Sequence, residues 1–214
     1  MSETIESSFA PYVPGRRERR RRAMIDAAHR LFVERGLDAV SLADILRVSG
    51  GSLSTLYELF ESKEGLLAAI IGEHRAEGLA IIDTIVAKGR SPAATLGEIA
   101  EALLSEYARG ATIGLMRLAI AESLRNPQFA HKMFETAHLP IVHRLTRLFD
   151  QWRQEGSARI PDPHVAAELF IGLLIHSVQT RAFFGEPRCL PLLQRDATIR
   201  DATALFVAGY QLEE

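Results

Sequence analysis

The sequence has only one cysteine, Cys189, among its 214 residues. A single thiol cannot form an intramolecular disulfide or a thiolate metal cluster, and this is typical of proteins from a reducing cytosol. Residues 1–15 contain no apolar stretch like that of a secretory signal. No apolar run approaches the length of a membrane span. We therefore expect a cytoplasmic protein that has no membrane segment.

The sequence also lacks the motifs of common enzyme and cofactor sites. It has no Walker loop, dinucleotide-binding glycine fingerprint, nucleophile elbow or catalytic dyad. His131, His138 and His143 do not reproduce the i, i+4 pair that a helical zinc site favours. We therefore expect no catalytic site, no metal and no cofactor. Cys189 follows Arg188, a cation that could activate it, so a redox sensor and an incidental thiol both stay open.

Positive charge is concentrated near the N-terminus. Residues 16–35 contain eight arginines and three acidic residues, a net charge of +5, whereas residues 66–214 have a net charge of −2. A basic cluster on a slightly acidic body indicates that one end of the molecule faces a polyanion.

Helical periodicity runs through nearly all of the chain after residues 1–15, which are expected to form a disordered tail. Capping residues divide the rest into about nine helices, because Gly36 ends the first and Ser41, Ser52 and Ser62 begin the next three. No strand, hairpin or internal repeat is evident. The predicted fold class is all-α.

The stretch SGGSLSTLYELF (49–60) predicts a short helix, joined to the preceding helix by a turn that contains Gly50 and Gly51. Leu56 and Phe60 lie on one face, so they would anchor this helix in a core. A helix this short depends on its neighbours for stability. Its remaining N-terminal residues could enter the major groove of DNA, which accommodates one helix.

About residues 20–68 resemble the N-terminal domain of the tetracycline-repressor (TetR) family of bacterial transcriptional regulators. The family pattern has a first helix ending in LF-x-x-x-G, and later G-x-S-x-x-T-L-Y-x-x-F-x-S-K-E-x-L-L. The residues that match the second motif are Gly50, Ser52, Thr55, Leu56, Tyr57, Phe60, Ser62, Lys63, Glu64, Leu66 and Leu67. The resemblance implies a helix-turn-helix domain, and a bacterial protein associated with the nucleoid when it is bound to DNA.

The resemblance also implies which residues contact double-stranded DNA: Ser41, Ser52, Thr55, Tyr57 and Lys63. The neighbouring residues expected at the same interface are Gly51, Leu53, Ser54, Glu58, Arg19 and Arg20.

Some of these positions depart from the family pattern. Gly51 replaces the usual valine, which predicts a looser turn, and Leu53 replaces a residue that is often polar. Glu58 could accept a hydrogen bond from a cytosine amino group. The basic segment 16–22 has two interpretations, namely contacts with phosphates or the minor groove, or a solvated first turn of helix one.

Residues 114–135 and 161–174 resemble the C-terminal domain of the AefR/AcrR-like branch of the family. That resemblance implies a pocket for a small-molecule effector and a homodimer. Methionine and phenylalanine suit an adaptable apolar cavity, and the alternative for each such residue is a place in the ordinary core. The candidate pocket residues are Leu115, Met116, Ile120, Phe129, Met133, Phe134, His138, Phe170 and Leu174.

Two C-terminal helices, around residues 163–183 and 195–211, are the candidate dimer interface. The stretch 165–178 is apolar on more than one face, and 202–210 is rich in small and apolar residues. Two such helices from each subunit would form a four-helix bundle about a two-fold axis. The alternative is that both are core helices.

We therefore predict a DNA-binding domain over residues 16–68 and an effector-binding and dimerisation domain over residues 69–214. The predicted function is that of a ligand-responsive repressor, which a small apolar or amphipathic molecule releases from a palindromic operator. The alternative is a helical small-molecule-binding or enzyme-like protein that no longer binds DNA.

Overall fold

The structure is a computed structural model that describes residues 15–107, 110–185 and 192–213. Within these ranges the chain is helical and contains no strand, which confirms the all-α fold class. Residues 1–14 of the expected tail and Cys189 lie outside the described residues. The helices are α1 (Arg16–Arg35), α2 (Leu42–Ser49), α3 (Leu53–Phe60), α4 (Lys63–Val86), α5 (Pro92–Tyr107), α6 (Gly110–Arg125), α7 (Pro127–Met133), α8 (Leu139–Glu155), α9 (Pro163–Phe183) and α10 (Leu192–Tyr210).

Local capping explains where the first four helices begin and end. Gly36 ends α1 with a φ of 82°. Ser41 begins α2 in a complete capping box with Asp44. Ser52 and Ser62 accept hydrogen bonds from backbone N–H groups in the first turns of α3 and α4. These bonds satisfy donors that a helix cannot satisfy internally, so the predicted boundaries are confirmed.

Two apolar clusters form the interior. The first is built mainly from residues 24–70, and Leu115, Phe129 and Met133 join it from α6 and α7. The second is built from the C-terminal part of α4 and from α5, α6, α8, α9 and α10. The helix α4 takes part in both clusters, through Leu66 near its start and Ile82 near its end. Helix α6 also takes part in both, through Leu115 in the first cluster and Ile113 in the second.

The helical segment between Asn126 and Gly156 is interrupted. A π-helical turn over Phe134–His138 separates α7 from α8. Pro140 has no N–H to donate to the carbonyl of Thr136, so regular α-helical bonding cannot continue through this point. No helix in the described parts of the chain combines the length and hydropathy needed to cross a bilayer.

Candidate nucleic-acid interface and ligand cavity

Helix α3 is held by one face and leaves the other exposed. Leu56 is fully buried and Phe60 is 5% exposed, whereas Leu53 and Tyr57 are 48% and 50% exposed. Of the other residues expected at the interface, Ser52, Ser54 and Glu58 are exposed and Thr55 is partly exposed. The structure therefore brings these predicted residues together on one surface, which we call the α3 face.

Three hydroxyl groups at the start of α3 are arranged by one another. The Ser52 hydroxyl accepts a hydrogen bond from the Thr55 backbone N–H at 3.2 Å. Its oxygen also lies 2.9 Å from both the Ser54 and Thr55 hydroxyl oxygens. Each hydroxyl group can both donate and accept, so the cluster retains capacity for an external partner.

The turn before α3 closes against α1. Gly50 and Gly51 have φ values of 69° and 102°, a region in which glycine is favoured. A Cβ atom on Gly51 would lie 2.7 Å from Met24 Cε and 3.6 Å from Arg20 Cδ. The glycine that departs from the family pattern therefore makes room for Met24. It also places Arg20 beside the α3 face.

The basic segment 16–22 forms the first turns of α1 and is not an extended arm. Arg21 forms an ion pair with Glu73 of α4, and its guanidinium lies 5.9 Å from the centre of the Phe60 ring. Arg20 is partly exposed beside the turn, and Arg19 is exposed and has a contact of its own. The segment therefore combines structural and surface arginines.

Two predicted DNA contacts lie at the edges of the α3 face and also have internal partners. The Lys63 ammonium donates a hydrogen bond to the Val40 carbonyl at 3.1 Å, which leaves it two further N–H groups. The Ser41 hydroxyl donates to the Asp44 carboxylate at 2.6 Å. That bond is the main reason why the pKa of Asp44 is lowered to about 2. Ser41 thus stabilises the start of α2, and Lys63 links the start of α4 to the residue Val40 that precedes α2.

The junction between α3 and α4 depends on Gly65, which was not among the residues predicted from the sequence. Ser62 caps α4 by accepting from the Gly65 N–H at 3.0 Å. The Cα atom of Gly65 faces the Phe60 carbonyl oxygen so closely that a Cβ atom would overlap it. A glycine in the first turn of an otherwise good helix sequence is the signal that could have revealed this contact.

A cavity with a volume of about 480 Å³ is lined by residues from helices α4 to α9. This volume is in the range of small-molecule binding sites. Five predicted pocket residues line it: Met116, Ile120, Met133, Phe134 and His138. A sixth, Leu115, lines an adjoining cavity of about 190 Å³.

Three predicted pocket residues do not line these cavities. Phe129 packs in the first apolar cluster, while Phe170 and Leu174 are fully buried in the second. Phe170 is enclosed by other aromatic rings, with the ring centre of Phe206 at 5.0 Å. These three side chains point into cores, and helical spacing alone could not show which face of their helices meets the cavity.

Other lining residues were not predicted. Ile171, Ile175, Gln179 and Phe183 form an i, i+4 stripe along α9, in which a glutamine interrupts an otherwise apolar row. That interruption was a usable signal. Arg75 of α4 lines both cavities, and nothing in its sequence neighbourhood distinguishes it from a surface arginine.

The histidines weighed as metal ligands have other neighbours. His131 lies 3.3 Å from Glu135, and the His138 ring stacks on Phe134 at 5.3 Å. Burial lowers the pKa of His138, and the positive charge of Arg75 lowers it further. Among the described residues, no three His, Cys, Asp or Glu side chains are placed to hold a metal ion.

The outer faces of α9 and α10 expose apolar and small residues. Val165, Leu169 and Leu173 are spaced four apart on α9 and are 46%, 52% and 44% exposed. On α10, Leu205 is 62% exposed and Gly209 is also exposed. Both helices also bury residues in the second cluster, so each has an inner core face and an outer unpartnered face within one chain.

Both the N-terminal part and the C-terminal part of the chain match known protein families. Residues 24–70 match the model of bacterial regulatory proteins of the tetR family, and residues 94–212 match the C-terminal domain of AefR-like transcriptional repressors. The sequence is 33% identical over 87 residues to the HTH-type transcriptional repressor ComR of Escherichia coli (strain K12). That stretch spans 41% of this chain and 38% of ComR.

Two solved structures share the fold over nearly the whole chain. One is a protein from Mesorhizobium loti MAFF303099 assigned to the TetR family of transcriptional regulators, with a TM-score of 0.82 and 23% identity over 92% of this chain and 99% of that one. The other is a TetR transcriptional regulator from Agrobacterium tumefaciens, with a TM-score of 0.69 and 25% identity over 94% and 95% of the two chains.

Proposed function

The chain belongs to the tetR family of bacterial regulatory proteins, and from this premise we propose that it is a homodimeric repressor of transcription. Members of this family are DNA-binding transcriptional regulators and not enzymes. In our proposal, a small apolar or amphipathic molecule occupies the cavity and releases the dimer from a palindromic operator.

The two proposed functions correspond to the two apolar clusters. We assign DNA binding to residues 16–68, and effector binding and dimerisation to residues 69–214. The first cluster is drawn mostly from residues 24–70, which supports a DNA-binding unit with its own core.

The proposal for DNA binding rests mainly on the exposed α3 face. In it, the hydroxyls of Ser52, Ser54 and Thr55 reach phosphates or base edges in the major groove, and Tyr57 donates to a phosphate. Leu53 can contact a thymine methyl group, and Glu58 can accept from a cytosine amino group. The further assigned contacts are those of Gly51, whose backbone approaches the duplex, and of Ser41, Lys63, Arg19 and Arg20 at the edges of the face.

The outer faces of α9 and α10 support the proposed dimer interface. Exposed apolar side chains at Val165, Leu169 and Leu173 would lose their contact with water when two copies meet. Small residues on α10, such as Gly209, permit close helix approach. Two helices from each subunit would form a four-helix bundle about the two-fold axis.

Residues shared between the cavity and the first cluster support a response to ligand. Met133 lines the large cavity and also packs in that cluster, and Leu115 does the same from the small cavity. In addition, Arg125 of α6 forms an ion pair at 2.8 Å with Asp38, in the loop between α1 and α2. An occupant that displaces Met133 would therefore act directly on the core that holds α3.

The first experiment identifies DNA and tests the α3 face. Duplexes are selected from a random-sequence pool with the purified protein, and their affinity is measured by fluorescence anisotropy over a range of salt concentrations. We expect Tyr57→Phe to weaken binding to all sequences alike, by about tenfold, because it removes one hydrogen bond to a charged phosphate.

Two arginines of α1 provide a matched pair in the same assay. Arg20→Gln should reduce the slope of log affinity against log salt by about one, because it removes one phosphate contact. Arg30→Gln, about 15 Å further along α1, should leave the slope unchanged. Selection of no duplex, or equal slopes for both variants, would contradict the proposed interface.

A further inference from the structure

Arg75 is a partly buried cation in the wall of the ligand cavity. Its Nε atom is buried and has no hydrogen-bond partner, and no ion pair of Arg75 occurs within the described residues. An arginine stays charged at all ordinary pH values, so it cannot relieve this cost by losing a proton. A buried donor without a partner is costly, and the folded chain thus holds a site that favours an added acceptor.

The position of Arg75 is at the junction of the two cavities. Both are lined by Arg75, Leu103, Tyr107, Met116 and Ala119. A group bound at Arg75 therefore has the large cavity open beside it, with space for an attached body of about 480 Å³.

The walls of the large cavity are mostly apolar. Ile120, Ile141 and Ile175 are typical of the lining, and the polar residues there besides Arg75 are Tyr107, Ser123, His138 and Gln179. No carboxylate lines this cavity within the described residues; Glu106 lines only the smaller one and has a contact of its own. A single cation, Arg75, in a mostly apolar wall is complementary to a ligand that has an anionic head group and an apolar body.

We propose that the effector is an amphipathic carboxylate whose head group binds the Arg75 guanidinium and whose apolar body fills the large cavity. This inference rests on the proposed effector role of that cavity. The planar guanidinium can donate two parallel hydrogen bonds to a carboxylate, and low polarity around the pair strengthens them. A neutral molecule of the same shape would leave the guanidinium without a counter-charge, and a cationic one would be repelled.

The anchor also lies on the helix that positions the DNA-binding unit. Adjacent to Arg75, Glu73 pairs with Arg21 of α1, and the His74 ring contacts the His29 ring at 5.1 Å. At its start the same helix α4 meets α3 at the Gly65 junction. A ligand head group that shifts Arg75 would therefore also shift α4 and alter its contacts with α1.

The test uses two matched pairs of probes below their micelle-forming concentrations. Decanoate is compared with decan-1-ol, and 2-naphthoate with 2-naphthylmethanol, by calorimetry and by thermal shift on the full-length dimer. We expect at least one anion to bind wild type about tenfold more tightly than its neutral partner, because hydrogen bonds to charged groups are strong.

Arg75→Gln removes the charge and keeps a polar side chain, and Arg30→Gln is the matched control outside the cavity. Arg75→Gln should abolish the preference for the anion and leave binding of the neutral partner within a factor of about three. Arg30→Gln should retain the preference. Equal binding of both partners by wild type, binding of neither anion, or an unchanged preference in Arg75→Gln would overturn the inference.

Measurement of DNA binding in the same samples separates this inference from the proposed function. A protein that binds its selected duplex but shows no Arg75-dependent anion binding would refute only the inference. A protein that binds the anion through Arg75 but selects no duplex would support the anion site and refute the repressor.

Discussion

Replacement of Gly65 by alanine tests whether the junction of α3 and α4 sets the position of the α3 face. A Cβ atom there would overlap the Phe60 carbonyl oxygen and would lie 3.2 Å from the Phe60 carbonyl carbon. Both are backbone atoms, so no side chain can rotate to relieve the overlap. The first turn of α4 must move away from the end of α3.

The expected cost follows from two opposing effects. Alanine is favoured over glycine in a helix by about 1 kcal/mol. Overpacking of a tight contact costs about 1–3 kcal/mol, and a backbone clash belongs at the upper end. We therefore expect Gly65→Ala to lower the free energy of unfolding by about 1–2 kcal/mol. The displaced α3 should also lower the affinity for DNA.

Gly72→Ala is the matched control, because Gly72 lies in the same helix and a Cβ atom there would have no neighbour within 4 Å. This variant should be stabilised by about 0.4–1 kcal/mol and should bind DNA normally. Unfolding is followed by circular dichroism in urea at one fixed dimer concentration, because dimer stability depends on concentration. A Gly65→Ala protein as stable as Gly72→Ala, with normal DNA affinity, would refute the role assigned to this contact.

Two other predictions concern the dimer and the start of α2. Leu169→Asp should raise the dissociation constant of the dimer at least about tenfold, since it places a charge in an apolar interface; Leu124→Asp, at an 82% exposed position on α6, should not. Sedimentation equilibrium measures both, and equal dissociation constants would exclude α9 from the interface. Asp44→Asn should lower the melting temperature at neutral pH, because the ionised carboxylate accepts bonds from the side chain and backbone of Ser41. The folded pKa of Asp44, about 2, is below the ordinary aspartate value of 3.8, so this stabilisation is present above pH 4 and is lost as the pH falls towards 2. The melting temperatures of the two proteins should therefore converge below pH 4, and a constant difference would contradict the assignment.

The features that could be predicted from the sequence depend on contacts between near neighbours. Ser41 with Asp44, Ser52 with Thr55, and Ser62 with Gly65 each form a cap within one helical turn. Helix boundaries in the DNA-binding unit follow directly from such caps. The burial of Leu56 and Phe60 follows equally from their spacing of one turn. For the same reason the α3 face could be deduced before its surroundings were known.

The ligand cavity could be predicted only in part, because it is formed where helices distant in the sequence meet. Met116 and His138 were expected there and line it, whereas Phe170 and Leu174 occupy the core instead. Periodicity shows that a helix has an apolar face, but it does not show whether another helix fills the space opposite that face. A broad apolar helix such as α9 is compatible with either arrangement.

The sequence by itself therefore determined the class of fold, the four N-terminal helices and the family, because these depend on local backbone chemistry and on a contiguous motif. Only the tertiary structure decided that Gly51 packs against Met24, that Gly65 packs against the carbonyl of Phe60, and that Arg75 lies between two cavities with no ion pair among the described residues. Each of these facts is a distance between atoms from separate elements, and such distances are set by the packing of whole helices.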